Sequence, residues 1–265
     1  MVASTIRRIS MWRIIYALAV ITFAYAIYVV IFETVKAPES VDLFPHGELR
    51  IGVDASNPPF ALATETELLG MEIEIGEALG EYLNIPVRFI NIGFDGLYDS
   101  INANQVDILL SQLVVNPIRM GEVIYTRPYF DAGLILVSNS SDPIEDIYAL
   151  PNHSVAYEFG SDADNELRMW SRRIAEFDTQ PYELPQFALD AVRLGEADSA
   201  LVDAIAAFIY MSEHPDWNTS FTYITNIHYA MAVRIDRGHL IGVINNAIAE
   251  LMADGTIPEI INRWM

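Results

Sequence analysis

Within the stretch 107–137, Asn116-Pro117-Ile118-Arg119 follows closely on an apolar run, Ile108-Leu109-Leu110. The run suits a buried strand. Asn-Pro is a helix-start signal, with Asn as cap and Pro at the first helical position. Arg119 then falls in the first turn, where a cation opposes the helix dipole. That placement makes sense if the guanidinium and the free N–H groups of the turn hold an anion together. The planar fork of an arginine suits a carboxylate in two-point contact. The competing reading is an ion pair between Arg119 and a neighbouring surface acid.

The elements that must position this arginine read as strand, loop and helix in alternation. A strand at 49–53 runs into Asp54 to Phe60, where Pro58-Pro59 imposes a loop. Met71, Ile75, Leu79 and Leu83 recur at helical spacing. A second strand follows at 87–92, then Phe94-Asp95-Gly96-Leu97 and a helix to Ala103. This order predicts a largely parallel sheet with ligand sites at strand C-termini, where Asp54, Asn57, Phe60, Phe94, Ser111 and Arg119 converge. After a polar crossover at 138–143, the second half repeats the logic with different residues. It has strands at 154–157 and 200–203, the loop Gly160-Ser161-Asp162, and helices after Asp162 and at 187–194. A return crossover is expected at 224–233, then helices at 239–252 and 257–264.

The 265 residues carry 36 acidic against 15 basic side chains, a formal charge of -21 that argues against nucleic acid as partner. Such a field repels anions, so an anionic ligand needs a local cationic pocket. With no cysteine, disulfides, thiolate metal sites and a lipid-modified N-terminal Cys are excluded. The five histidines are scattered, so neither a metal site nor a cofactor is expected. Arg7, Arg8 and Arg13 precede an uncharged run at 14–32 that is long enough to span a bilayer. We read 1–36 as a cytoplasmic stub and uncleaved transmembrane signal anchor, although Ala24-Tyr25-Ala26 also fits a cleavage site. Residues 37–45 then form a tether, and the rest of the chain lies outside the cytoplasm.

Taken together, LRIGVDASNPPF, LLGMEIEIGEAL, FDGLYDSINANQVDILLSQLVVNPIR, YTRPYFDAGLILV, VAYEFGS, GEADSALVDA and NNAIAELMADGTIPEIINRW resemble the family 3 extracellular solute-binding proteins. These are the amino-acid-binding receptors of ABC importers. The resemblance implies an α/β, two-lobe, type II periplasmic-binding-protein fold with two hinge crossovers. Lobe one would be 46–137 plus 231–265, and lobe two 138–230. It further implies that Arg119 binds an α-carboxylate and that Asp203 binds the α-ammonium. Ser161 and Asp162 match the lobe-two carboxylate loop, and Phe94 matches an aromatic wall.

The alternatives are a helix cap for Asp203 and for Ser161, and ordinary core for Phe94. Two positions depart from the family pattern. Asn57 stands where an aromatic is expected, and Val114 where a small hydroxyl is expected. Asn57 and Gln112 are also counted in the ligand-binding set. Glu72 and Glu158 are expected near the cleft, where they favour a basic or polar amino acid, unless they are merely solvated acids. The expected partners are a small amino acid and an ABC-importer permease, with the receptor a monomer and no catalysis. The alternatives are an enzyme on the same fold, similar to cyclohexadienyl or arogenate dehydratase, and a sensory ligand-binding module.

Overall fold

The computed structural model describes residues 43–265 of the chain. The expected cytoplasmic stub, transmembrane anchor and most of the tether lie outside the described residues. In chain order the elements begin with β1 (Leu49–Val53), β2 (Ser56–Asn57), β3 (Ala61–Ala63), β4 (Leu68–Leu69), α1 (Met71–Leu83) and β5 (Val87–Asn91). They continue with α2 (Leu97–Asn102), β6 (Ile108–Val114), β7 (Val123–Asp131), β8 (Leu134–Asn139), β9 (Ser154–Glu158) and α3 (Asp162–Trp170). The chain closes through β10 (Asp178–Tyr182), α4 (Pro185–Arg193), β11 (Ser199–Asp203), α5 (Ala204–Glu213), β12 (Thr219–Tyr223), β13 (His228–Arg234), α6 (His239–Ala253) and α7 (Thr256–Trp264).

Two five-stranded sheets form the frame, ordered β5-β1-β6-β13-β7 and β10-β9-β11-β8-β12. In the first, β1 runs parallel to β5 and β6, while β13 returns antiparallel to β6 and β7. The second repeats the plan, with β9 parallel to β10 and β11 and β8 antiparallel to β11 and β12. β1 is buried along its whole length, as a strand covered on both faces must be. Helix α1 buries Met71, Ile75 and Leu79 in one stripe, as their spacing predicts. The second sheet packs α4 and α5 over one face, through Ile135, Val137, Leu189 and Val192.

Sheet membership moves the first crossover towards the N-terminus and shortens the second. β8 already belongs to the second sheet, and β13 belongs to the first. The links are therefore 132–133 and 224–227, bound to each other by Ala132 N donating to Ile227 O at 2.8 Å and Ile224 N donating to Leu134 O at 2.8 Å. Much of the expected return crossover is thus part of β13. Its apolar run Ala230–Val233 is fully buried between β6 and β7, which no loop would be.

Candidate functional site

Asn116 and Pro117 open a turn as their spacing predicts, but Arg119 is its last residue. With Arg119 N donating to Asn116 O at 3.0 Å and Met120 N to Pro117 O at 3.4 Å, its N–H groups are not free to hold an anion as expected. The Asn116 side chain accepts from Ile118 N at 3.0 Å and caps a three-residue 3₁₀ turn, Pro117–Arg119, at the C-terminal end of β6. Arg119 leaves this turn with its guanidinium 4.7 Å above the Tyr98 ring. Its Nη1 donates to both Glu122 oxygens, at 3.1 and 3.2 Å, so the ion-pair alternative is realised at this nitrogen. Among the described residues no hydrogen bond reaches Nε or Nη2.

The other lobe-one residues gather at the same strand ends. Asp54 is architectural: Oδ1 accepts from Ser56 N at 3.1 Å, Oδ2 accepts from Phe94 N at 2.9 Å, and its own N–H donates to Ser111 Oγ at 3.1 Å. Phe94 is thereby held by its backbone while the residue stays 52% exposed, so the core alternative does not apply to it. Asn57 Nδ2 donates to Gln112 Oε1, which joins the loop after β1 to the end of β6.

Glu72 departs from the expectation. It is fully buried and presents no surface to a ligand. Its Oε1 accepts from Gln112 N at 2.7 Å and from the Tyr129 hydroxyl. Burial pushes its carboxyl up to about 7, against the opposing hydrogen bonds from Tyr129 and Gln112. The sequence did carry a signal for this. Glu72, Ile75, Gly76 and Leu79 fall at i, i+3, i+4 and i+7, so the acid lies on the buried stripe of α1.

Lobe two supplies a cavity of about 450 Å³ at the C-terminal ends of β9 and β11, closed at the side by the crossovers. Glu158, Asp162, Glu166 and Asp203 line it, with Ser161, Asn165 and Thr225, and no Arg, Lys or His is in the lining. Asp203 caps α5, its Oδ1 accepting from Ala206 N at 2.8 Å. Oδ2 has no hydrogen bond among the described residues, so capping and ligand binding are compatible at this carboxylate. Ser161 is more committed. Its hydroxyl donates to Glu158 O at 2.7 Å and accepts from Ala163 N at 3.1 Å, which leaves the capping alternative in force. Arg119 does not line this cavity. Among the described residues no group of three or more His, Cys, Asp or Glu is placed to hold a metal.

Two α/β lobes joined by two crossovers, each with polar residues at its strand ends, define the class of two-lobe ligand-binding proteins. The model of the bacterial extracellular solute-binding proteins, family 3, matches residues 49–265, and the chain belongs to that family. It is 25% identical over 223 residues to the ABC transporter arginine-binding protein 1 of Escherichia coli K12, covering 82% of this chain and 90% of that one. A crystal structure of an ancestral cyclohexadienyl dehydratase has a TM-score of 0.73 at 18% identity, covering 87% of this chain and 97% of that one. The unliganded, open L-cystine solute receptor of Neisseria gonorrhoeae has a TM-score of 0.68 at 20% identity, covering 84% and 94%. The two solved structures carry the type II periplasmic-binding fold. The family places the chain among bacterial extracellular solute-binding proteins.

Proposed function

We propose that the chain is an extracytoplasmic receptor for a cationic amino acid, closing its lobes on the ligand and delivering it to an ABC-type importer. The observation that carries this is the lobe-two cavity, whose four carboxylates have no cationic side chain among them in the lining. Glu158, Glu166 and Asp203 are partly buried and Asp162 is exposed, and the negative field they share is offset by a ligand with an ammonium and a second cationic group. Arg119 supplies the complementary charge from lobe one, its free edge meeting the ligand's carboxylate. Contacts to both lobes exist only in the closed state, so the ligand shifts the hinge equilibrium towards closure. The chain acts as a monomer without catalysis. Residues 1–36 anchor it in the membrane and 37–45 tether the receptor.

The test is a thermal-shift screen of the full chain against arginine, lysine, glutamine and glutamate. At a hundredfold excess over Kd a bound ligand adds about 2.7 kcal/mol. Arginine or lysine is expected to give the largest shift, and a larger shift with glutamate refutes the cationic preference. Incubation with prephenate or arogenate is expected to leave both unchanged, and turnover of either supports the enzyme instead.

A further inference from the structure

Strand β6 is irregular where it enters the cleft. Its Leu113 pairs with Ala230 and its Leu109 with Ala232, so residues 110–112 face the single residue Met231 on β13. Such a bulge takes a backbone group out of the ladder and re-aims the side chain beside it. Here the re-aimed residue is Gln112, with a left-handed φ of 50° that a non-glycine residue rarely adopts. Its N–H donates to Glu72 Oε1 at 2.7 Å, with the Tyr129 hydroxyl a longer second acceptor at 3.3 Å. Its side chain accepts from Asn57 on the cleft loop. A chain of contacts thus runs from a fully buried acid to an exposed cleft residue.

We propose that Glu72 is a positioning residue for the ligand cleft: its buried carboxylate holds the β6 bulge and, through Gln112, sets where Asn57 presents its amide. The second carboxylate oxygen of Glu72 is buried without a hydrogen-bond partner. A proton added there meets no acceptor among the described residues and weakens Oε1 as an acceptor for Gln112 N–H. An ionised acceptor makes the stronger bond. Because burial has moved this carboxyl up to about 7, the exchange between the two forms falls at ordinary extracellular pH. Tyr129 on β7 and Tyr229 on β13 face the carboxyl, and its charge pushes both hydroxyls up in turn, after burial. No cation pairs with it among the described residues. Glu74 on the same helix is bound instead to Arg263 and Trp264.

The consequence is a cleft lip that is best ordered above about pH 7 and looser below it. Two measurements on the full chain separate this from a purely structural role. The first needs no ligand. The chain has four glutamines, so selective ¹⁵N-glutamine labelling gives few backbone amide signals. The Gln112 signal, assigned by its loss in Gln112→Asn, is expected to titrate in one step near pH 7, and the step is expected to vanish in Glu72→Gln. The second rests on the receptor reading above and uses arginine as probe. Wild-type affinity is expected to weaken about fivefold to tenfold from pH 8 to pH 6, while Glu72→Gln shows a flat profile. A Gln112 signal that does not titrate, a step that survives Glu72→Gln, or identical affinity profiles in the two proteins overturns the proposal. Failure of arginine to bind either protein, with the Gln112 step intact, strikes the cationic-ligand reading and supports the contact chain from Glu72.

Discussion

Two buried acids in lobe one answer to pH with opposite sign. Glu72 has its carboxyl raised from an ordinary 4.5 to about 7, chiefly by burial. The stability it contributes is therefore complete below about pH 4.5 and is lost as pH rises through about 7, a change of about 3 kcal/mol. Denaturation at pH 5 and pH 8 is expected to show the wild type losing stability relative to Glu72→Gln as pH rises; a constant difference contradicts it. Asp107 is the reverse. Burial pushes its carboxyl up, but Arg50 and Arg237 outweigh that and hold it below the ordinary value. Arg50 contacts it at 3.0 Å and Arg237 at 2.5 Å, and the Asp107 side chain has no exposed surface. Its contribution is present at neutral pH and lost as pH falls below the ordinary carboxylate range. Asp107→Asn leaves two guanidinium groups short of their partner and is expected to cost about 3–5 kcal/mol by urea titration at pH 7. A loss below 1 kcal/mol would show the pair to be unimportant.

Between elements, the crossovers are the parts that decide whether the lobes turn as a hinge. Gly133 on the first crossover sits against the backbone of the second, where an added Cβ would lie 2.0 Å from Thr225 O. Asp131 clasps both, its Oδ1 accepting from Gly133 N at 3.0 Å and from Ile227 N at 2.9 Å. Gly133→Ala must push the two links apart, and overpacking of this kind costs about 1–3 kcal/mol. Melting is expected to fall while the folded chain keeps its circular-dichroism signature at low temperature, and unchanged melting contradicts the contact.

Element order was readable because strand and helix periods differ, and Asn116-Pro117 marks its turn by residue type alone. The bulge at Gln112 was not readable, because nothing in SQLVV distinguishes a left-handed residue from an extended one. The return strand was missed for a related reason. A buried run such as Ala230–Val233 has no alternation and gives no sign of which sheet it joins. Glu72 was misplaced because an acid is by default exposed, and only its position on the apolar stripe of α1 argued otherwise.

At the scale of the molecule, the receptor we propose uses the asymmetry of charge between the lobes. The described residues place four carboxylates around the lobe-two cavity, and Arg119 keeps one edge of its fork without a hydrogen bond on lobe one. A ligand satisfying both must draw the lobes together, and small-angle scattering is expected to show a smaller radius of gyration with arginine than without. An unchanged radius under saturating arginine contradicts closure.

The most direct test is calorimetric titration of the full chain with L-arginine and with agmatine, which has the same cationic side chain and lacks the carboxylate. Losing a two-point contact to a charged group costs about 3 kcal/mol or more, so arginine is expected to bind at least about a hundredfold more tightly than agmatine. That gap is expected to close in Arg119→Ala. Equal affinity for the two ligands in the wild type, or a gap that persists in Arg119→Ala, would contradict the account.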